Sequence, residues 1–409
     1  MRNVRLQLIL CITFLISLAA SAQTFEQVTF ARINEHPMSI RGAAMGAVSE
    51  DDVSTNPASM ASTKKLFVSA GAARSKYHVF DTVQLTPQVW TTLMTDVDAT
   101  ALSHIMVAAP VRNFVVSGYY RNEPEFRGTH PLTSDVPGVP YDDPNCPNVD
   151  CGYLTLFGSP AFARRDERYG AAIAWERGAF SFGAGAELRE LEESVDLQRL
   201  RFATTTDGAV AFDRVARRTS GRAIVPNASI RWKATPRVAL SAAYNGGATF
   251  TRTSDVCQTN DNEGACVSSF RRLSEVDHTI ADAYRASISF QPIERLLLVA
   301  EGVRRNYSKV DSEQLVGNFF DVVEFKDVTE LHAGAELRLS SLALRAGWWR
   351  DPARTTELIP FTGFGNNERV DHMTFGAGVD LGPARLDIAF DDVDAPALRR
   401  ASVGLTFKM

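Results

Sequence analysis

The stretch that decides the fold is the C-terminal one, Ala401-Ser402-Val403-Gly404-Leu405-Thr406-Phe407-Lys408-Met409. Apolar residues occupy every second position, and small or polar residues lie between them. This period of two is typical of a β-strand with one apolar face. The stretches 371–381 and 384–393 alternate in the same way, and Gly382-Pro383 between them is typical of a tight turn. The C-terminal part of the chain is therefore predicted to form an antiparallel sheet.

The same pattern continues toward the N-terminus and predicts fourteen strands. Pairs of alternating stretches are joined by very short turns, and longer polar stretches separate most of the pairs. An even strand number, with short turns on one side and long loops on the other, is typical of a transmembrane β-barrel. The predicted strands are 65–75, 101–109, 113–121, 167–177, 179–189, 222–234, 237–251, 282–291, 294–306, 328–340, 341–350, 371–381, 384–393 and 398–408.

Charged residues fall on the face of these strands opposite the apolar face. A soluble β-sandwich would alternate too, but it would turn its apolar face inward and would not need loops that are long on one side only. We therefore predict an all-β fold, an antiparallel transmembrane barrel with a polar lumen. Aromatic residues near strand ends are expected at the lipid interface, namely Tyr120, Trp175, Trp232, Tyr244 and Trp348. The inward charged residues are Arg285, Glu301, His332, Glu336, Arg338, Arg345, Asp380 and Asp387.

The first 22 residues have the features of a secretory signal peptide. Arg2 and Arg5 precede the apolar run 6–18, and the small residues 19–22 follow it. We expect export and cleavage after Ala22. A lipoprotein signal ending at Cys11 is the alternative, but the apolar run continues well past that cysteine. No later apolar run approaches the ~20 residues that a membrane helix needs.

Charge and cysteine content exclude several classes of function. The net charge of −5 argues against a nucleic acid as partner, because binding phosphates requires a concentrated basic face. The cysteines outside the signal form two local couples, Cys146 with Cys151 and Cys257 with Cys266, which we predict to be disulfides in outer loops. Metal binding is the alternative, but no histidine lies near either couple. We therefore predict no metal and no cofactor.

The segment 23–64 is small, polar and rich in Gly and Ala, and it does not alternate like a strand. It contains Arg41-Gly42, Met45-Gly46, Asp51-Asp52 and Asn56-Pro57-Ala58. In these motifs it resembles the N-terminal plug of the FadL-type outer-membrane transporters of long-chain fatty acids and other hydrophobic compounds. Ser59 stands where that family usually has Gly. After the predicted signal peptide at 1–22, the resemblance implies a plug at 23–64 and a barrel at 65–409.

The resemblance also implies passive uptake of hydrophobic molecules, such as long-chain fatty acids, through a pocket in the lumen and a lateral exit at a kinked third strand. Gly118 in the third predicted strand is a candidate for that gap, although it could simply pack beneath a tyrosine. Arg285 and Arg345 are candidates for holding a carboxylate head group. Pairing of these arginines with lumen carboxylates is the structural alternative, and Glu336 is a plausible partner of Arg345.

Other functions have less support in the sequence. The seven histidines are scattered without a catalytic motif, so we do not expect an enzyme. Acidic loop stretches at 260–263 and 391–394 could bind Ca²⁺, but we favour the interpretation that they are solvated loop acids. A scaffold or secretion partner of the PorV-like kind is the alternative function, and an open porin is a weaker one because the plug opposes it. We expect a monomer in the cell outer membrane, surrounded by membrane lipid.

Overall fold

The computed structural model describes residues 37–86, 89–129, 132–133, 157–158, 161–202, 210–259, 271–309, 326–352, 369–393 and 398–409. The predicted signal peptide lies outside them. No helix in this part of the chain is long and apolar enough to cross a membrane. The helices are α1 (Ile40–Ala43) and two 3-10 helices, Pro57–Ser62 and Tyr307–Lys309. The strands are β1 (Phe67–Thr86), β2 (Val89–Val111), β3 (Phe114–Thr129), β4 (Leu132–Thr133), β5 (Phe157–Gly158), β6 (Ala161–Arg177), β7 (Phe180–Phe202), β8 (Val210–Thr235), β9 (Val238–Asn245), β10 (Ala248–Thr259), β11 (Arg271–Ile280), β12 (Ala283–Ile293), β13 (Leu296–Arg305), β14 (Val328–Leu339), β15 (Leu342–Asp351), β16 (Val370–Leu381), β17 (Ala384–Val393) and β18 (Leu398–Lys408).

The strands form a closed antiparallel barrel of fourteen, as predicted. The first strand, β1, pairs with the last, β18, and β8 pairs with β9. Strands β9 and β10 continue one another across residues 246–247, and β11 and β12 continue one another across residues 281–282. The couple β9–β10 runs antiparallel to the couple β11–β12 on both sides of these breaks, because Asn245 pairs with Ala283 and Ala248 pairs with Ile280. Each couple therefore counts as one barrel strand, while β4 and β5 form a separate two-stranded sheet.

Several strands are longer than predicted. The stretch between the first two predicted strands, 76–100, belongs mostly to the hairpin of β1 and β2, and β7 and β8 likewise extend through residues 190–202 and 210–221. The expectation of long loops at these two connections was wrong. These extensions are rich in polar residues, and their alternation is interrupted, as by Phe80 and Asp81 in β1, so the sequence pattern is weaker there. They continue the barrel beyond its apolar band.

The barrel has its apolar face outside and its charged face inside. Outward side chains such as Val107, Ile173, Ile288, Phe375 and Leu405 are between 37% and 44% exposed. The inward positions hold buried charged residues, and these include Glu301, His332, Glu336, Arg345 and Asp387. This distribution is the reverse of a soluble protein and is the one that a lipid environment requires. The predicted register is confirmed.

Outward aromatic residues form two rows near the two ends of the apolar band. Close to the short turns, Phe114 packs on Trp175 with ring centroids 6.2 Å apart, and Phe180 stacks on Trp232 at 6.1 Å. Nearer the opposite end, Tyr120 packs on Tyr169 at 5.2 Å. Six residues separate Tyr169 from Trp175, which is ~20 Å along a strand and is comparable to the ~25 Å apolar band of outer-membrane barrels. Trp232 and Tyr120, both predicted at the lipid interface, belong to these rows, although Tyr120 lies in the interior of β3 and not at its end.

Candidate functional site

Residues 37–65, here called the N-terminal segment, lie inside the barrel. The helix α1 contacts β16, β17 and β18, and the 3-10 helix Pro57–Ser62 contacts β3, β6, β7 and β8 on the opposite wall. Met45, Val48, Asp52, Val53 and Asn56 of the segment are at most 1% exposed. The part of the predicted plug before residue 37 lies outside the described residues, and the functional role of the whole segment stays a prediction.

The turn after α1 packs against glycines of the barrel wall. Gly46 has a left-handed φ of +74°, which Gly adopts without strain. A Cβ at Gly347 of β15 would lie 2.0 Å from the Gly46 nitrogen, and a Cβ at Gly334 of β14 would lie 2.3 Å from the Met45 oxygen. The Gly46 N–H donates to Thr374 Oγ1 at 2.7 Å, and its carbonyl accepts from His332 Nδ1 at 2.7 Å. The backbone of the turn is therefore held at close range by three strands.

An ion-pair network joins the N-terminal segment to the same wall. Arg41 donates from Nε to Glu336 Oε2 at 2.7 Å and from Nη2 to Glu336 Oε1 at 3.1 Å, and it also pairs with Asp51. Burial opposes the charge of Arg41, but the Asp51 and Glu336 carboxylates outweigh it and raise the pKa of Arg41. Burial also opposes the charge of Asp51 and by itself would raise its pKa, but the Arg41 guanidinium outweighs burial and lowers the pKa of Asp51. Arg41 and Asp51 of the segment therefore form a charged pair beside the Glu336 carboxylate of the wall.

Arg345, a predicted ligand for a carboxylate head group, is part of this network. Its side chain is fully buried and pairs with Glu336 at 2.7 Å and with Asp387 at 2.8 Å. An incoming carboxylate would have to displace one of these partners. The structural alternative, pairing of Arg345 with Glu336, agrees with the geometry.

Arg285, the second predicted ligand, supports the segment from the other side. It pairs with Glu301 at 3.0 Å and donates to Asn245 Oδ1 at 3.2 Å. Glu301 in turn accepts from the Ser49 N–H at 3.0 Å. Arg285 lines a small polar cavity of about 80 Å³ together with Arg121, Arg168 and other residues. The structure does not bring Arg285 and Arg345 together, because Arg345 lines neither this cavity nor the larger one described below.

The Asn56-Pro57-Ala58 motif begins the 3-10 helix that contacts β6, β7 and β8. Pro57 occupies the first turn, where its missing N–H costs nothing. The Ala58 N–H donates to Ser229 Oγ at 2.8 Å, and a Cβ at Gly183 of β7 would lie 2.3 Å from the Ala58 nitrogen. The motif thus packs its backbone on a glycine, as Gly46 does on the other wall. Gly42 of the first motif also leaves no room for a side chain, because its Cβ would lie 2.4 Å from the Val48 oxygen.

A cavity of about 500 Å³ remains between the N-terminal segment and the wall near the short turns. Its apolar lining includes Met38, Ile40, Met60, Phe67 and Met106. Its polar lining includes Arg41, Asp51, Lys64, Lys65, His104, Arg338, Arg385, Asp387, Thr406 and Lys408. The volume lies within the 300–1,000 Å³ that small-molecule sites usually occupy. The cavity therefore offers room for a small molecule, which would contact an apolar patch of methionine and phenylalanine side chains beside charged groups.

The barrel wall is regular at Gly118 and interrupted elsewhere. Gly118 pairs with Val107 of β2 and with Ala171 of β6, and it faces outward with open space at its Cβ position. The structure therefore shows no gap at Gly118.

Pairing of β3 with β2 stops at Arg121, opposite His104, although β2 continues its pairing with β1. Among the described residues, β8 also has no strand pairing with β9 or β10 between residues 221 and 226.

The predicted disulfides fall largely outside the described residues. Cys146, Cys151 and Cys266 are not among them, and Cys257 belongs to β10. Both disulfides stay predictions.

Three groups that hold the segment in place were not recognised from the sequence. They are the Glu336–Arg41 pair, the wall glycines Gly334 and Gly347, and the two side chains that bond Gly46. The glycines had a signal, since glycines recur at inward positions of β14, β15, β16 and β18, where a wall without side chains leaves room for a lumen segment. The partners of Gly46 had none, because His332 and Thr374 lie 286 and 328 residues away from it in sequence.

Comparison with solved structures shows the same fold in known channels. The Pseudomonas putida toluene transporter TodX matches with a TM-score of 0.60 at 13% identity, over 92% of this chain and 99% of that one. A Pseudomonas aeruginosa FadL homologue matches with a TM-score of 0.59 at 14% identity, over 95% and 99%. The Ralstonia pickettii toluene transporter TbuX matches with a TM-score of 0.55 at 12% identity, over 92% and 99%. No family model and no curated protein matches the sequence. The fold is therefore that of the FadL-type channels, as the plug-like motifs predicted.

Proposed function

We propose that this protein is an outer-membrane channel for the passive entry of small hydrophobic molecules. The observation that carries the proposal is the arrangement of the lumen. The N-terminal segment fills the middle of a barrel with an apolar exterior, and a partly apolar cavity of about 500 Å³ remains beside it. Because the segment fills the lumen, an open water-filled pore is disfavoured. A cavity of this size suits one small cargo molecule.

The lining of the cavity indicates how an apolar cargo gains free energy there. Met60 and Met106 are buried in one apolar cluster with Met38, and Phe67 packs against it. Methionine side chains adapt to cargo of different shapes because they are unbranched and polarizable. Transfer of apolar surface from water to such a lining contributes ~25 cal/mol per Å². The free-energy gradient therefore runs from water through the cavity to the lipid.

The solved structures with this fold support the class of cargo. The transporters from Pseudomonas putida and Ralstonia pickettii are described as toluene transporters. By this analogy, monoaromatic hydrocarbons are the first cargo to test, and long-chain fatty acids are the second. For a fatty acid, Arg285 or Arg345 would have to exchange a protein carboxylate for that of the cargo.

A lateral exit through the wall belongs to the same proposal. The best-supported place is the end of pairing between β2 and β3, beyond His104 and Arg121. His104 also lines the large cavity, so the interruption begins beside the proposed binding site. Cargo leaving there would reach the outer edge of the lipid layer, next to the Tyr120–Tyr169 pair, without crossing the polar short-turn mouth of the barrel.

Uptake of radiolabelled toluene and oleate into proteoliposomes tests the proposal. Thr406 on β18 lines the cavity, whereas Val403 on the same strand faces outward and is 44% exposed. We expect Thr406→Trp to fill the cavity and reduce uptake about tenfold, while Val403→Trp leaves it unchanged. Equal uptake by protein-free vesicles and by vesicles containing the wild type would overturn the proposal. That result would favour the alternative of a scaffold or secretion partner.

A further inference from the structure

The short-turn end of the barrel carries an excess of positive charge. Seven Lys or Arg residues and three Asp or Glu residues lie within three positions of the six short turns, although the whole chain has a net charge of −5. The cations are Arg112, Arg177, Lys233, Arg237, Arg295, Arg338 and Arg385, and the acids are Glu176, Glu294 and Asp380. Lys64, Lys65 and Lys408 add to the same end beside the cavity mouth. The rest of the chain is correspondingly acidic.

Four of these cations have no ion-pair partner in the part of the chain that the structure describes. They are Arg112, Arg177, Arg237 and Arg295, and they are exposed at four successive short turns, from β2–β3 to β12–β13. Lys233, Arg338 and Arg385, by contrast, pair with Glu176, Glu336 and Asp387. We call the four unpaired arginines the rim arginines.

The rim arginines lie next to the aromatic row that marks the lipid boundary. Arg112 is two residues from Phe114, and Arg177 is two residues from Trp175 and three from Phe180. Phe114 and Phe180 face outward and are 44% and 41% exposed. At ~3.3 Å per residue, each guanidinium can reach the layer just beyond these rings, because long cationic side chains extend toward the polar headgroups. That layer holds lipid phosphates.

We propose that the rim arginines bind the phosphate groups of anionic phospholipids in the leaflet on the short-turn side. Arg suits phosphate because its planar guanidinium can donate two hydrogen bonds to one phosphate. The proposal rests on the membrane placement of the proposed function and adds a partner that transport itself does not need. Positions on the barrel circumference, beside lipid-facing rings, favour a lipid over a soluble acidic protein, which would require a compact patch.

Retention of lipid by the purified protein tests this site. The whole chain is purified in detergent and mixed with phosphatidylglycerol and phosphatidylcholine, and bound lipid is counted by native mass spectrometry. We expect the wild type to retain phosphatidylglycerol preferentially, also in the presence of inorganic phosphate. We expect this preference to fall about tenfold in the fourfold variant Arg112→Gln/Arg177→Gln/Arg237→Gln/Arg295→Gln. The reason is that each cation near a lipid surface attracts anionic lipid separately.

The control changes the same number of charges at the opposite end. Arg165, Arg222, Arg304 and Arg350 are paired with acids there. Their fourfold Gln variant should keep the preference for phosphatidylglycerol. Lys at all four rim positions should retain most of it, and this second variant keeps the test decisive if the Gln variant folds poorly. Equal losses in the rim and control variants, or an unchanged preference in the rim variant, would overturn the proposal.

Toluene uptake by the same rim variant separates this proposal from the proposed function. We expect uptake to continue, because none of the four arginines lines the large cavity. Lost lipid preference with normal uptake supports the lipid site. Normal lipid preference without uptake by the wild type would remove the transport proposal and leave the lipid site standing.

Discussion

Gly46 of the N-terminal segment lies on Gly347 of the barrel wall so closely that a Cβ at Gly347 would approach the Gly46 nitrogen to 2.0 Å. The neighbouring atoms are backbone, which cannot rotate away as a side chain could. A side chain at Gly347 must therefore push the segment off the wall. This contact makes the position of the segment testable.

We predict that Gly347→Val increases the single-channel conductance in planar bilayers, because the displaced segment no longer fills the lumen. Overpacking of this kind costs about 1–3 kcal/mol of stability. Gly302→Val is the matched control, since Gly302 on β13 has nothing within 4 Å of its Cβ position. If both variants conduct like the wild type, the segment does not block the lumen at this contact.

Glu336 should matter more for stability than Arg41. Glu336→Gln leaves Arg345 and Arg41 without their common carboxylate in a buried site, and we expect a loss of about 3–5 kcal/mol. Arg41→Gln should cost less, because Glu336 keeps Arg345 and Arg338. Urea unfolding in lipid vesicles measures both. A double variant whose loss equals the sum of the single losses would show that the two residues do not interact.

The pairing of Arg41 with Asp51 should persist in mildly acidic solution. Because Arg41 lowers the pKa of Asp51, the stabilisation is fully present above the ordinary Asp value of about 3.9 and is lost only as the pH falls through the lowered value. We predict a low and constant conductance from pH 7 down to about pH 4. Asp51→Asn should instead open more often at pH 7. A rise in wild-type conductance already at pH 5 would contradict this.

Gly118→Val should leave toluene uptake unchanged. The residue is paired on both sides and has open space at its Cβ position, so an added side chain points outward. Gly170→Val on β6 is the informative contrast, because its Cβ would lie 2.0 Å from the Tyr119 ring, which is buried inside the barrel. We expect that variant to disturb packing and reduce uptake. Reduced uptake in the Gly118 variant would restore its predicted part in the lateral gap.

The sequence by itself determined the antiparallel barrel, its fourteen strands, and the face of each strand that meets lipid. These properties depend on the alternation of neighbours such as Ala401 and Ser402, and a period of two is visible within a single strand. The full length of β1, β2, β7 and β8 was not predicted, because polar residues interrupt the alternation in their outer parts.

Only the tertiary structure decided what the lumen residues contact. Arg41 lies 295 positions from Glu336, and Gly46 lies 328 positions from Thr374. Such partners meet only after the barrel has closed around the N-terminal segment, and no local pattern encodes the path of that segment. The same reason explains Arg345, which the sequence placed correctly on the inner face. When the barrel closes, Arg345 comes to pair with Glu336 and Asp387, and it does not face an open pocket.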